Sequence, residues 1–217
     1  MVRFICMKVL FFLTMHRQLH ELEFWSYFFN NFKHLKADVC IYNTNSDFSQ
    51  DVINNSLRIN TNIKIISDDQ NQGYQYGSYF GLSNNYDFYK NYDFIIHSHP
   101  DVFILDDKKL YELLISQKDK DIDFLVSQVV EAPFHYLTDL FIFKPKNNFT
   151  SKYINYQNLD SAEKILFSII EGNNLKKYLF SRYPNDEIGG KNRQIDEYNI
   201  WHEHNLENVI NYIHNIK

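Results

Sequence analysis

A chain of 217 residues is long enough to bury a substantial core without disulfide or metal staples, and it reads as one domain spanning 1–217. A formal net charge of −5 with a pI near 6.0 leaves no basic field for wrapping nucleic acid, which excludes that class of partner. With 23% charged and 44% hydrophobic residues, the balance is that of a water-soluble globule.

In chain order, Val9 to Thr14 is an apolar run that predicts a first core strand. Lys8 interrupts it, no small-residue cleavage site follows, and it falls short of the roughly 20 residues of a membrane span, so neither a signal sequence nor a transmembrane segment is expected. Leu19, Leu22, Trp25, Phe28, Phe29, Phe32 and Leu35 recur at three- and four-residue spacing and predict a helix with one apolar face. A second strand is expected over Val39 to Tyr42, ended by the turn-forming run Asn43-Thr44-Asn45-Ser46-Asp47. A short helix follows from Asp51 to Leu57, a third strand from Ile63 to Ile66, then a loop carrying Gly73 and a helix from Gly77. Cys6 and Cys40 lie in apolar, strand-like surroundings and read as small buried thiols, consistent with a reducing compartment and a cytoplasmic protein.

The fourth strand, from Phe94, carries the stretch around which the chain is organised: Asn91 to Leu105, whose apolar run ends in His97-Ser98-His99-Pro100-Asp101. A continuous apolar strand is one covered on both faces, and in open α/β sheets ligands bind beyond the carboxyl ends of such strands. Pro100 removes a backbone donor where the strand stops, so His99 and Asp101 are free to point into a crevice and hold a cation. The second half predicts helices over Lys108 to Ser116 and Asp160 to Glu171, strands over Phe124 to Val130 and Leu140 to Phe143, and a last helix capped by Asn205. The alternation of strand and helix argues an α/β fold with mainly parallel pairing in its first half.

The order of these features resembles a GT-A-fold nucleotide-sugar glycosyltransferase of the small single-domain type, over most of the chain. V-C-I-Y-N-T-N-S-D resembles that fold's second strand and the turn that reads base and ribose. I-K-I-I-S-D-D-Q-N-Q-G-Y-Q-Y-G resembles its third strand and Asn-x-Gly loop, and F-I-I-H-S-H-P-D stands where the family has Asp-x-Asp. D-L-F-I-F-K-P resembles the acceptor-side strand, and S-A-E-K-I-L the acidic helix start after it. The resemblance implies a Rossmann-like mixed sheet flanked by helices, with residues 1–105 binding the donor and 106–217 the acceptor. It implies transfer of a hexose or pentose from a nucleotide-diphosphate donor, UDP-linked, to a hydroxyl of a glycan or glycoconjugate.

His99 stands in place of the family's first Asp, and only Asp101 is retained. The resemblance therefore implies a metal site of Asp101, His99 and, from W-H-E-H-N, His204 in preference to His202. It takes Mn²⁺ over Mg²⁺, because a hard Mg²⁺ prefers oxygen ligands throughout. Thr14 and His16 after the first strand, and Asn43, Ser46 and Asp47 after the second, suit a nucleoside; as plain turn residues they would bond their own backbone instead. Gly73, Tyr74 and Gly77 border a turn whose free N–H groups suit phosphate, or simply form a tight turn with a helix-packing glycine.

For the base that activates the acceptor, the candidates are Glu163 and then Asp139, with a capping box from Asp160 to Glu163 as the competing role for Glu163. Two other classes fit part of the chain. One is an inactive carbohydrate or nucleotide binder with an altered Asp-x-Asp. The other is a zinc hydrolase using His97, His99, Asp101, His202 and His204.

Overall fold

The computed structural model describes residues 7–16, 19–44, 47–68, 74–127, 136–145, 162–180 and 195–216, with side chains undescribed at 74–76 and 162–163. The strands are β1 (Val9–Met15), β2 (Ala37–Asn43), β3 (Ile63–Ser67), β4 (Phe94–Ser98), β5 (Val102–Ile104), β6 (Phe124–Val126), β7 (Leu140–Phe143), β8 (Lys177–Leu179) and β9 (Ile200–His202). The helices are α1 (Leu19–Asn30), α2 (Gln50–Ser56), α3 (Tyr74–Asn84), α4 (Tyr86–Tyr89), α5 (Lys108–Gln117), α6 (Ala162–Gly172) and α7 (Leu206–Asn215). Cys6, Asp160, Ser161 and the end of the expected sixth strand, 128–130, lie outside the described residues.

Seven strands form one sheet in the order β3-β2-β1-β4-β7-β6-β8, and β5 pairs with β9 in a separate two-stranded ribbon. The first four run parallel, while β7 is antiparallel to both β4 and β6. Both faces of the sheet are covered because alternate residues of each central strand face opposite ways. Val9, Phe11 and Leu13 pack in one apolar cluster with Trp25, Leu110 and Val209; Leu10 and Phe12 pack in the other with Tyr79, Leu166 and Ile170. Helix α3 comes close to β2 because it carries glycines four residues apart. A Cβ on Gly77 would lie 2.6 Å from the Thr44 methyl, and one on Gly81 would lie 2.7 Å from the Tyr42 ring. Cys40 is a buried free thiol, and burial pushes it up to about 12.

Some expectations are corrected. The first helix stops at Asn30 rather than reaching Leu35. Phe32 N–H closes a tighter turn onto the Phe29 carbonyl at 3.1 Å, and the next N–H groups are drawn to a carboxylate. Helix α3 begins at Tyr74, before Gly77. Asn205 does cap the last helix, accepting from Glu207 N–H at 3.0 Å.

The end of α5 is closed by a side chain from a distant strand. Buried Lys144, directly after β7, donates from Nζ to the carbonyls of Gln117, Lys118 and Lys120 at 2.8, 2.7 and 2.7 Å. The Gln117 and Lys120 carbonyls also accept a backbone N–H, from Lys120 at 3.2 Å and from Ile122 at 3.0 Å, and a positive charge suits the negative end of the helix. Lys144→Met keeps the stem and removes all three donors. It is expected to cost about 2–4 kcal/mol in urea unfolding, since three hydrogen bonds from a charged donor are lost at about 1.5–3 kcal/mol each, and the remaining backbone donors and water recover part.

Candidate functional site

The carboxyl ends of the parallel strands β1, β2 and β4 lie along one edge of the sheet, and the start of antiparallel β7 meets them there. The turn after β4 is held from two sides. His99 N–H donates to the Asp139 carbonyl at 2.9 Å, and Trp25 Nε1 on α1 donates to the Pro100 carbonyl at 2.9 Å. The ribbon then fixes the partner strand: Val102 pairs with His202, and Glu203 N–H donates to the Asp101 carbonyl at 3.0 Å. A pairing that spans about a hundred residues thus brings W-H-E-H-N against the His-Pro-Asp turn.

Both ends of that segment are anchored. Upstream, Asn199 sits at φ 58, a left-handed conformation that asparagine tolerates, inside a turn where Asp196 accepts from the N–H groups of Tyr198 and Ile200 at 2.8 and 2.9 Å. Downstream, the Glu203 carboxylate accepts from Asn205 N–H at 2.7 Å and from Asn208 Nδ2 at 2.9 Å, bracing the start of α7.

Asp101, His202 and His204 form the group. Oδ2 of Asp101 lies 2.6 Å from His204 Nδ1 and 3.5 Å from His202 Nε2, and the ligating atoms of all three residues lie within 4.8 Å of one another. On its other side, His202 Nδ1 lies 3.1 Å from Asp139 Oδ2. Asp101 is only 5% exposed, yet its Oδ1 has no hydrogen-bond partner, and neither has buried Nε2 of His202. A buried carboxylate oxygen and a buried imidazole nitrogen without partners are costly unless something completes them, and a divalent cation does. The residues therefore fit a cation.

The charges agree. Burial pushes the Asp101 carboxyl up, but bonds and charge from His202 and His204 outweigh it and hold the group well below the usual carboxylate range. Burial lowers His202, and the two carboxylates it faces outweigh that and raise it to about 9. Glu21, in the first turn of α1, is pushed up by burial and by the charge of Asp101, so a second carboxyl borders the group.

The expected site residues fall out as follows. His99, which the resemblance placed in the metal shell, does not join the group, and His202 does. The His-x-His-x-Asp run does not gather as one zinc cluster either. His97 points into the sheet, its ring stacked on Phe141 at 4.5 Å, its Nε2 3.4 Å from Thr14 Oγ1, and burial keeps it neutral. Asp139 reaches the site through His202. Thr14, His16 and Asn43 lie together at the ends of β1 and β2, where His16 Nδ1 meets Thr44 Oγ1 at 3.1 Å and Asn43 Nδ2 bonds the Phe48 carbonyl at 2.9 Å. Asp47 is exposed. Gly73 and Ser46 lie outside the described residues, and for Tyr74 and Glu163 only the backbone is described, at the starts of α3 and α6. Glu21 was not among the expected site residues, and His202 was ranked below His204. The two histidines of W-H-E-H-N, two residues apart, were the available signal.

No protein-family model and no curated protein matches the sequence. Its fold is shared with solved structures. A protein of Desulfovibrio desulfuricans inferred to be a nucleotide-diphospho-sugar transferase superposes with a TM-score of 0.56 at 10% identity, over 81% of this chain and 80% of that one. Mouse xyloside xylosyltransferase 1 in its apo form gives 0.53 at 6% identity, over 80% and 85%. A mannosyltransferase of Pyrobaculum calidifontis, in complex with GDP-Man and Mn²⁺, gives 0.50 at 8% identity, over 82% of this chain and 57% of that one. The chain thus has the GT-A-like α/β fold, a mixed, mainly parallel sheet with flanking helices. Among the described residues no helix is long and apolar enough to cross a membrane.

Proposed function

We propose that this chain is a glycosyltransferase that moves a sugar from a UDP-linked donor to a hydroxyl of a glycan or other acceptor. The observation that carries the reading is the group of buried Asp101, half-buried His202 and exposed His204 at the carboxyl edge of the parallel strands, on a fold shared with sugar transferases. These three residues would hold a divalent cation, Mn²⁺ over Mg²⁺ because two donors are imidazoles, and when bound it offsets the negative charge growing on the departing diphosphate.

The other roles are assigned from the order of motifs along the sequence. Thr14, His16, Asn43 and Asp47, and Ser46 by its place in the sequence, are assigned to the nucleoside. Gly73, Tyr74 and Gly77 are assigned to the diphosphate, because the first N–H groups of α3, which begins at Tyr74, suit phosphate oxygens. Asp139 is engaged with His202, so the base is assigned to Glu163: its carboxylate takes the acceptor hydroxyl's proton as that oxygen bonds the anomeric carbon and the nucleoside diphosphate leaves. Residues 1–105 hold the donor, and the segment around His202 and His204 returns from the acceptor half to complete the cation group.

The test is a thermal-shift series of nucleotide sugars with Mn²⁺, followed by chromatography for released nucleotide. A UDP-sugar at about 100 times its Kd adds about 2.7 kcal/mol, which for a chain of this size raises Tm by roughly 5–10 °C. The matching GDP and ADP sugars are expected to shift it less. An equal response to all three bases removes the uridine assignment, and no response with no nucleotide release removes the transferase reading.

A further inference from the structure

The first position of the Asp-x-Asp pattern is a histidine that does not join the cation group, so one ligand of the expected shell is missing. The ribbon of β5 and β9 supplies another from the opposite strand, and its orientation is not left to chance. Asp139 Oδ2 accepts from His202 Nδ1 at 3.1 Å, which orients the ring so that Nε2 is the nitrogen left to give up its proton and meet a cation. That Nε2 is buried, lies 3.5 Å from Asp101 Oδ2 and has no hydrogen-bond partner. Asp139 is itself set in place: its Oδ1 accepts from Leu140 N–H at 2.9 Å, and its carbonyl accepts from His99 N–H at 2.9 Å. The same residue thus ties the turn after β4 to the ligand on β9.

We propose that Asp139 is a positioning residue that aims His202 at the cation, and that the resulting set of two imidazoles and one carboxylate binds a first-row transition ion of the Mn²⁺ to Zn²⁺ class before any nucleotide arrives. Three protein donors are enough to retain such an ion, whereas Mg²⁺ and Ca²⁺, which seek oxygen ligands, gain little from two nitrogens. Within that class the later ions bind more tightly, so Zn²⁺ displaces Co²⁺ and Mn²⁺ is the weakest. A ligand-orienting carboxylate of this kind is worth about 10–100-fold in metal affinity. The inference concerns the same site as the transferase reading but does not need that reading to hold.

The experiment uses the nucleotide-free chain and Co²⁺ as the probe, followed by its visible absorption. Wild type is expected to take one Co²⁺, to lose it to an equivalent of Zn²⁺ and to keep it in a large excess of Mg²⁺. Asp139→Ala is expected to weaken Co²⁺ binding about 10–100-fold, with circular dichroism unchanged. Asp139→Asn, which keeps the shape and a neutral acceptor, is expected to recover part of that loss and serves as the second variant if alanine unfolds the chain. Because Asp139 acts through His202, the double variant with His202→Ala is expected to bind no worse than His202→Ala alone. Displacement of Co²⁺ by equimolar Mg²⁺, binding by both Asp139 variants within twofold of wild type, or additive losses in the double variant would each overturn the proposal. Nucleotide-sugar turnover is scored separately, so loss of one reading leaves the other standing.

Discussion

Asp101→Asn is expected to remove metal-dependent donor turnover, with a fall in kcat/KM of at least about 10²-fold, the scale on which loss of charge stabilisation at a departing group is felt. Asp101 is the one carboxylate among the three clustered donors, and it is the residue that both histidines face. Asparagine keeps its shape but removes the charge, so the two imidazoles lose what neutralises them and a cation loses its only anionic ligand. His202 is protonated at neutral pH by the carboxylates around it, and a bound cation takes that proton's place, so metal loading releases a proton as it proceeds.

The same substitution acts on stability with a defined sign. The folded carboxyl lies below its unfolded value, so its contribution is present above about pH 4 and is lost as pH falls through the folded value. The variant is therefore expected to be less stable than wild type at pH 7 and to approach it in strong acid. Metal content after dialysis, donor turnover with Mn²⁺ and melting at two pH values check the three parts. A variant that retains stoichiometric metal places the cation elsewhere.

The first half of the chain was legible because its strands are long and doubly buried. Val9 to Leu13, Val39 to Tyr42 and Phe94 to Ile96 leave continuous apolar runs, and the helices between them leave a period. From those runs follow the parallel order and the carboxyl edge on which Asp101 sits. The ribbon was not legible. β5 and β9 have three residues each, too few to show alternation, and their pairing joins positions about a hundred residues apart. The resemblance therefore placed His99, at the first position of the Asp-x-Asp pattern, beside Asp101 and preferred His204 to His202, whereas His202 reaches the same carboxylate across the ribbon. Residues i and i+2 of an extended segment share a side only while it stays extended, and the turn at Pro100 breaks that relation between His99 and Asp101. Asp139 was read as the second candidate base, in the run that resembles the acceptor-side strand; nothing local indicates that an imidazole from β9 lies against it.

Asp107→Ala is expected to destabilise the chain by about 3–5 kcal/mol while leaving metal binding unchanged, the reverse of the effect at Asp101. Asp107 stands just before α5, where a carboxylate ordinarily caps its own helix, but it makes no such bond, and the neighbouring Asp106 accepts from Lys108 N–H instead. Its side chain turns across the fold to the segment after α1. There Oδ1 accepts from Lys33 N–H at 3.1 Å, and Oδ2 accepts from His34 and Leu35 N–H at 2.7 and 2.5 Å. Three successive backbone donors on one carboxylate form an anion nest, which is also why the periodic run of α1 breaks after Asn30 although apolar residues continue to Leu35.

Asp107 is 1% exposed and Leu35 is 4% exposed, so water does not readily replace the lost acceptor. Hydrogen bonds to a charged group contribute about 1.5–3 kcal/mol each, and stranding buried donors costs on the same scale; partial relaxation of the segment brings three of them to the stated range. That is a large share of the 5–15 kcal/mol typical of a domain. Asp107→Asn keeps an oxygen for His34 and Leu35 but turns an NH₂ toward Lys33, so its cost is expected near 1–2 kcal/mol. Urea unfolding with an unchanged m-value measures both variants. A cost below about 1 kcal/mol for the alanine variant would mean that these N–H groups find water, and that the turn after α1 is held by the packing of Phe32 and Leu35 rather than by this carboxylate.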